Sequence, residues 1–556
     1  MPMQTNAVEY KTYTIGAGYL VKHILDQLDV VSAIDQNLRY QPEIGTTYGT
    51  LAQVIIINRM TFDPQPLYHV AEWADERGIS RLLGIQSAWL DDDRLGAMLD
   101  GLADHQAEIW RAIVGKGLEK YQVELEWLHS DTTSVYFEGA YEDEKGQPKQ
   151  EANGPLLIEG YNKDGQRQKG QFVLSLAACQ RIPIWYTAWN GNQSDDGVYL
   201  ADMNTLRQAG WVPDNVVMIG DRKLCNRETM VSFCRTNQFF LAAHPWTDTA
   251  KAVWRRTRQR LQRGELSWTP VDYVTRNEAR KPIEKRTQYK VCEVGHELPD
   301  GEVNQVYSLR WIFSWSSSKA ELDTRQRNKA IEAGEAALQR IAKLLGKYDY
   351  TSRKTIEHRI EKALSKAKAK RYFQYALCGT DDNQTWVLTW QQCQDVIDDE
   401  QLSDGVALLC TNVAPERLSA GEVMIKYKEQ VSVEQTIDFI KSPVYIRPMW
   451  LHSPRRLAGL ILLIMIAVLV ASLLEYHVRR HVARTGQRLR GLMPENRDNN
   501  YPTARKMLQA FQDYTIVVVR SADGQETVHW PKLRSIQQQI CTILGLSPVP
   551  ATLNSG

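Results

Sequence analysis

The stretch LEWLHSDTTSVYFEG, residues 125–139, begins as an apolar strand and then has a carboxylate, Asp131, where a buried strand is expected to carry an apolar side chain. Residues 123–129 and 132–137 are rich in β-branched and aromatic side chains, which predicts two strands with Asp131 at their junction. Burying an unpaired carboxylate costs free energy, so the presence of Asp131 in this stretch requires an explanation. A turn or cap with neighbouring hydroxyl partners is the ordinary one. Further carboxylates in matching positions would favour a catalytic site.

A second carboxylate has a similar setting in NVVMIGDRKLCNRETM, residues 215–230. An apolar strand is predicted to end at Gly220 and Asp221, and Asn226 can cap the helix that follows. Open α/β sheets place their sites at the carboxyl ends of buried strands. The alternative is a loop aspartate paired with Arg222 or Lys223.

The third carboxylate belongs to YKEQVSVEQTIDFIKSP, residues 427–443. If this segment is one α-helix with about 100° between residues, several polar side chains lie within about 60° of Tyr427. They are Gln430, Glu434, Asp438 and Lys441. Glu434 is the preferred candidate of this face, and Glu429 and Asp438 remain rival carboxylates.

Two strand-end aspartates followed by a helical glutamate resemble the arrangement of the RNase H-like DDE transposases. The spacing from Tyr427 to Lys441 is similar to Y-(2)-R-(3)-E-(6)-K, the YREK motif of bacterial insertion-sequence transposases of the cut-and-paste type. The resemblance covers most of the chain and extends to HSDTTS at 129–134, IGDRKL at 219–224, DGVALLCTN at 404–412 and DDDRLGAMLDGL at 91–102. One departure is that Gln430 stands at the arginine position of the motif, which removes a phosphate contact.

The resemblance implies an α/β fold with an RNase H-like catalytic core, a mixed sheet flanked by helices, interrupted by a mixed, β-rich insertion. An all-helical N-terminal domain is expected to precede it. The predicted divisions are 1–120 (helical domain), 121–250 (core, first part), 251–426 (insertion with a long basic helix), 427–475 (core, second part) and 476–556 (basic C-terminal region).

The resemblance also implies a transposase that cleaves the ends of an insertion sequence and joins their 3′-hydroxyls to target DNA. Asp131, Asp221 and Glu434 would be the catalytic acids and would hold Mg²⁺ or Mn²⁺, two ions in all, because hard cations prefer oxygen ligands. The expected partners are the terminal inverted repeats, target DNA and a second copy of the chain. The expected DNA-binding residues are Tyr427, Gln430, Lys441, Arg222, Arg255, Arg256, Arg258 and Arg260.

The distribution of charge and of cysteines indicates which segments could bind DNA and whether a zinc site is expected. Residues 1–120 carry ten Lys or Arg against sixteen Asp or Glu, whereas residues 443–556 carry fourteen against six. Residues 251–264 hold six cations and no acid, which suits a phosphate backbone or an ordinary solvated helix face. The eight dispersed cysteines form no C-x-x-C pair, which argues against a structural zinc site.

The run LAGLILLIMIAVLVASLL, residues 457–474, is long enough to span a membrane. It could also be the central helix of a large domain. Since a helix after the glutamate packs inside the catalytic domain in the family, we expect a buried helix, no membrane and a cytoplasmic, nucleoid-associated bacterial protein. A membrane-anchored protein and a catalytically inactive DNA-binding relative remain alternatives.

Overall fold

The computed structural model describes residues 9–39, 45–136, 141–160, 170–194, 197–380, 385–441, 451, 453–521 and 524–547. The chain divides into a first unit, residues 1–239 with 429–556, and a second unit, residues 240–428. Four of the five predicted segments thus contribute to the first unit. The predicted insertion at 251–426 lies inside the second.

The strands are numbered in chain order. They are β1 (Glu9–Thr14), β2 (Trp127–Tyr136), β3 (Gln171–Cys179), β4 (Ile182–Trp189), β5 (Val217–Gly220), β6 (Phe239–Ala243), β7 (Thr269–Val271), β8 (Tyr289–Asp300), β9 (Gln305–Ser316), β10 (Phe373–Cys378), β11 (Val387–Gln392), β12 (Val406–Thr411), β13 (Thr515–Arg520) and β14 (Glu526–His529).

The helices follow the same order. They are α1 (Gly18–Gln27), α2 (Val30–Asp35), α3 (Tyr48–Arg59), α4 (Val70–Glu76), α5 (Ile79–Leu83), α6 (Asp92–Asp104), α7 (Gln106–Tyr121), α8 (Val198–Gln208), α9 (Arg227–Arg235), α10 (Asp248–Gln262), α11 (Ser317–Leu344), α12 (Arg353–Lys366), α13 (Gln394–Gln401), α14 (Ala420–Lys428), α15 (Val431–Lys441), α16 (Pro454–Thr485), α17 (Ala504–Gln509) and α18 (Ser535–Leu544).

The first unit is built on a mixed sheet with strand order β4-β3-β2-β5. The pairs β2–β3 and β3–β4 are antiparallel, whereas β2 and β5 run parallel. Every residue of β3 is buried, because helices cover the sheet: α15 packs on β2 and β3, α16 on β4, and α8 on β4 and β5. The predicted α/β class is confirmed, and the RNase H-like assignment stays a prediction.

The prediction of an all-helical N-terminal domain is wrong at its start. Strand β1 pairs antiparallel with β13, and β13 pairs antiparallel with β14. The sequence EYKTYT of β1 has the β-branched and aromatic residues of a strand. Its partner, however, lies about 500 residues away along the chain, which local pattern does not reveal.

The apolar run forms the middle of α16, which is long and apolar enough to cross a membrane by composition alone. In the structure, 94% of its most apolar 18-residue window is buried inside the protein. The helix packs against α3, α6, α7 and β4. A Cβ at Gly459 would lie 2.2 Å from the carbonyl oxygen of Leu99, so only glycine permits this approach to α6.

The second unit holds an antiparallel sheet with strand order β6-β12-β9-β8-β7. Helices α11 and α12 and the hairpin β10–β11 enclose a separate small hydrophobic core. Its fully buried members include Leu338, Ile356 and Ile360.

Candidate active site

The pairing of β2 with β5 brings Asp131 and Asp221 together. The last paired residues of the two parallel strands are His129 and Ile219, and each aspartate follows two residues later. Neighbouring strands lie about 4.8 Å apart, so the two carboxylates arise from adjacent backbone positions. Both side chains are half-buried. The sequence alone predicts a strand beside each aspartate. It does not predict the register in which the two strands pair.

The sequence predicts a junction of two strands at Asp131, and this prediction is wrong. Strand β2 continues through it from Trp127 to Tyr136. The strand persists because β3 pairs with it past the end of β5, and Asp131 stands opposite Leu176. Asp131 Oδ1 accepts a hydrogen bond from the backbone N–H of Thr132 at 2.8 Å.

Asp221 follows β5 in a turn that fixes one of its oxygens. Its Oδ1 accepts hydrogen bonds from the backbone N–H of Lys223 at 2.9 Å and from the hydroxyl of Tyr199 at 2.8 Å. Asn226 caps α9 as predicted, since its Oδ1 accepts from the N–H of Thr229 at 2.8 Å. The strand, turn and helix of this segment are therefore as expected.

Tyr199, on the first turn of α8, is a site residue that the sequence motifs do not predict. Its side chain is 1% exposed. Burial, and then the negative charges of Asp221 and Asp131, raise the pKa of Tyr199 well above its usual value. The hydroxyl therefore stays protonated beside both carboxylates. Only its place in a helix near Asp221 in sequence could have hinted at this role.

Asp202, three residues after Tyr199, holds α8 against the sheet. It is 1% exposed, and its Oδ1 accepts from Thr187 Oγ1 at 2.9 Å and from Trp185 Nε1 at 3.3 Å. Burial raises the pKa of Asp202 to about 6, and the hydrogen bonds oppose that shift. Asp202 is not among the predicted site residues.

Glu434 lies on α15, the helix that packs on β2 and β3. Its side chain is exposed, whereas Val433 and Ile437 face the protein interior. The hydroxyl of Thr436 donates to the carbonyl oxygen of Arg181 at 3.3 Å, which ties the helix to the turn between β3 and β4. Of the rivals, Glu429 is exposed, and the side chain of Asp438 lies outside the described residues.

The single helix predicted from Tyr427 to Lys441 is wrong. Helix α14 ends at Lys428, Glu429 and Gln430 form a turn, and α15 begins at Val431. The break resets the helical phase, so the predicted common polar face does not form: Gln430 is 7% exposed and Val431 is 51% exposed. Tyr427 is half-buried, and the side chain of Lys441 lies outside the described residues.

The predicted DNA-binding arginines lie on or near exposed surfaces. On α10, Arg255 and Arg258 each approach Asp399 at 3.4 Å, and Arg260 approaches Glu265 at 3.6 Å. Arg256 on the same helix and Arg222 beside Asp221 are exposed. Ion pairs at such surfaces contribute little, so these acids do not prevent the arginines from meeting a phosphate.

The described residues contain no group of three or more His, Cys, Asp or Glu side chains that could hold a metal ion. The structure brings together Asp131 and Asp221, and it does not join Glu434 to them. Asp221 Oδ2 accepts no hydrogen bond from any residue that the structure describes, so one oxygen of the pair is open. Two carboxylates with an open oxygen fit Mg²⁺, which keeps several waters when bound to protein.

Comparisons with known proteins cover different parts of the chain. Residues 10–114 match the model of a domain of unknown function, DUF4277. No curated protein matches the chain. Among solved structures, the chain is similar to the cryo-EM structure of the piggyBac transposase synaptic complex with hairpin DNA, with 9% identity and a TM-score of 0.34. That match covers 89% of this chain and 78% of the other.

Proposed function

We propose that this chain is a DNA transposase of the DDE type, related to the YREK insertion-sequence enzymes. The observation that carries the proposal is the parallel pairing of β2 with β5, which sets Asp131 and Asp221 at equivalent positions, two residues past the last pair of the register. A solvated surface pair of carboxylates would have no need of a buried tyrosine donating to one of them.

In this proposal Asp131, Asp221 and Glu434 would hold two divalent cations. Such ions, when bound, activate an attacking water or 3′-hydroxyl and stabilise the leaving oxygen at phosphorus. Glu434 would supply the third carboxylate. The exposed side chain of Glu434 and the packing of its helix on β2 and β3 support this role.

The DNA contacts follow from charge. Arg222 follows Asp221 directly, and Arg255, Arg256, Arg258 and Arg260 lie on α10 in the second unit. These side chains would bind phosphates of the terminal inverted repeats or of target DNA, as would Tyr427 and Lys441. The working form would be a homodimer on DNA in the bacterial cytoplasm.

A DNA-binding relative without catalysis is the second candidate. It is favoured by Gln430, which replaces the arginine of the motif and is buried, so that it offers no phosphate contact from the surface. Both candidates predict DNA binding, and only the first predicts strand cleavage.

The test is a cleavage assay on DNA fragments that carry the sequences flanking the gene. The wild-type chain should cut them with Mg²⁺ or Mn²⁺ and lose activity with a chelator. Asp221→Asn should bind the same DNA and not cut it, because it keeps the shape and removes one charge. The matched control is Asp214→Asn on the preceding loop, whose carboxylate is exposed and pairs only with Arg207 among the described residues. If the wild type binds the DNA and does not cut it, the protein is the second candidate, a DNA-binding relative without catalysis.

A further inference from the structure

The two oxygens of Asp221 have different surroundings. Two hydrogen bonds reach the carboxylate from the described residues, one from the hydroxyl of Tyr199 and one from the backbone N–H of Lys223, and both end on Oδ1. Oδ2 accepts none from the described part of the chain. A carboxylate held in this way cannot exchange its oxygens by rotation without breaking both bonds. Oδ2 is therefore the oxygen presented to a ligand.

The position of Tyr199 is fixed from two sides. A Cβ added at Gly220 would lie 2.9 Å from Cε1 of the Tyr199 ring, so the residue before Asp221 must be glycine for the ring to pack there. One helical turn further on, Asp202 binds Thr187 and Trp185 and anchors α8 to β4. The hydroxyl of Tyr199 reaches the carboxylate because the close approach of Gly220 and the anchoring of α8 to β4 fix the position of the ring.

We propose that Tyr199 is a positioning residue that holds Oδ1 of Asp221 and so directs Oδ2 to a divalent cation. The inference rests on the proposed function, since it takes Asp221 as a metal ligand. Donors to the second oxygen of a ligating carboxylate orient it and are worth about 10- to 100-fold in metal affinity. Tyr199 would act through Asp221 and would not touch the DNA.

The experiment measures Mn²⁺ binding to the full chain without DNA, by electron paramagnetic resonance of the free ion. Tyr199→Phe removes only the hydroxyl and should weaken Mn²⁺ binding about 10- to 100-fold. In the cleavage assay, the Mn²⁺ concentration for half-maximal rate should rise by a similar factor. The rate at saturating Mn²⁺ should recover, because the carboxylate itself remains.

The matched control is Tyr186→Phe on β4. Tyr186 is also buried, and its hydroxyl has no hydrogen-bond partner within the described residues. This variant should bind Mn²⁺ like the wild type. An equal loss in both variants would mean that any buried hydroxyl matters, and it would overturn the role of Tyr199.

Asp221→Asn separates the two proposals. If the wild type binds Mn²⁺ and Asp221→Asn does not, Asp221 is a ligand, and unchanged affinity in Tyr199→Phe then overturns the inference alone. If Asp221→Asn binds as the wild type does, the metal site and the inference both fail. Should Tyr199→Phe not fold, as circular dichroism would reveal, Gly220→Ala displaces the same ring and should weaken Mn²⁺ binding. Wild-type affinity in that folded variant would overturn the inference.

Discussion

At the scale of single residues, the positions of Glu434 and Glu429 decide which of them can be the third carboxylate. Glu434 extends from α15, which packs on the strand that holds Asp131, whereas Glu429 lies in the turn before that helix. Glu434→Gln should therefore abolish strand cleavage and leave DNA binding intact. Glu429→Gln, the same change five residues earlier, should cut at the wild-type rate. Loss of cleavage in Glu429→Gln with retention in Glu434→Gln would reverse the assignment.

Asp202 gives a second prediction at this scale, on stability against pH. Its pKa is raised to about 6 in the folded state from an ordinary 3.8, so the folded protein binds this proton more tightly than the unfolded chain does. The contribution to stability is complete below pH about 4 and is lost as the pH rises to about 6. The loss amounts to about 3 kcal/mol, at 1.36 kcal/mol per pKa unit.

Asp202→Asn should lack this loss. Denaturant unfolding of wild type and variant at several values between pH 4 and pH 7 measures it. The difference in unfolding free energy should move in favour of the variant by about 3 kcal/mol over this range. A difference that stays constant with pH would mean that Asp202 is charged in the folded protein throughout.

At the scale of elements, the crossing of α16 with α6 depends on one glycine. Gly459→Ala would bring a methyl group to 2.2 Å from a backbone oxygen of α6, so the helices must move apart. We expect a loss of about 1–3 kcal/mol in the free energy of unfolding, as for other overpacked sites. The matched control is Gly115→Ala on α7, where an added Cβ meets no atom within 4 Å.

In the control, alanine should raise stability by up to about 1 kcal/mol, because glycine is the poorer helix former. Urea unfolding of both variants gives the comparison. Equal effects at Gly459 and Gly115 would show that α16 has room to shift over α6 without cost.

At the scale of the whole molecule, the uneven charge distribution predicts how DNA binding responds to salt. The first 120 residues are acidic, whereas α10 and the C-terminal region are basic. The affinity for DNA should fall linearly in log[salt], with a slope of about −0.9 for each phosphate neutralised on duplex DNA. Fluorescence anisotropy with labelled DNA measures the slope.

Two variants locate the interface on α10. Arg256→Gln should weaken binding and make the slope shallower by about one unit, since it removes one exposed cation. Asp399→Asn removes the acid that approaches Arg255 and Arg258 and should tighten binding at a given salt concentration. Unchanged affinity in both variants would exclude α10 from the DNA interface.

The sequence by itself determined the elements whose signals are local. The alternation of strand and helix from β2 to β6 follows from runs of β-branched residues and from capping residues such as Asn226, which bonds as expected. Asp91 caps α6 in the same way, through the N–H of Arg94. The position of Asp221 at the end of a buried strand was predictable for the same reason, because the apolar run and the turn residues adjoin it.

Only the tertiary structure decided what depends on partners distant in sequence. Strand β1 exists because β13 pairs with it, Asp131 remains within a strand because β3 supports it, and Tyr199 reaches Asp221 because Gly220 leaves room. The turn at Glu429 and Gln430 was not predicted, because placing residues 427–441 on one helix assumes a constant angle between successive residues. Local sequence sets the preference of a segment, whereas register, helix breaks and contacts between carboxylates arise from burial against elements that the segment itself does not encode.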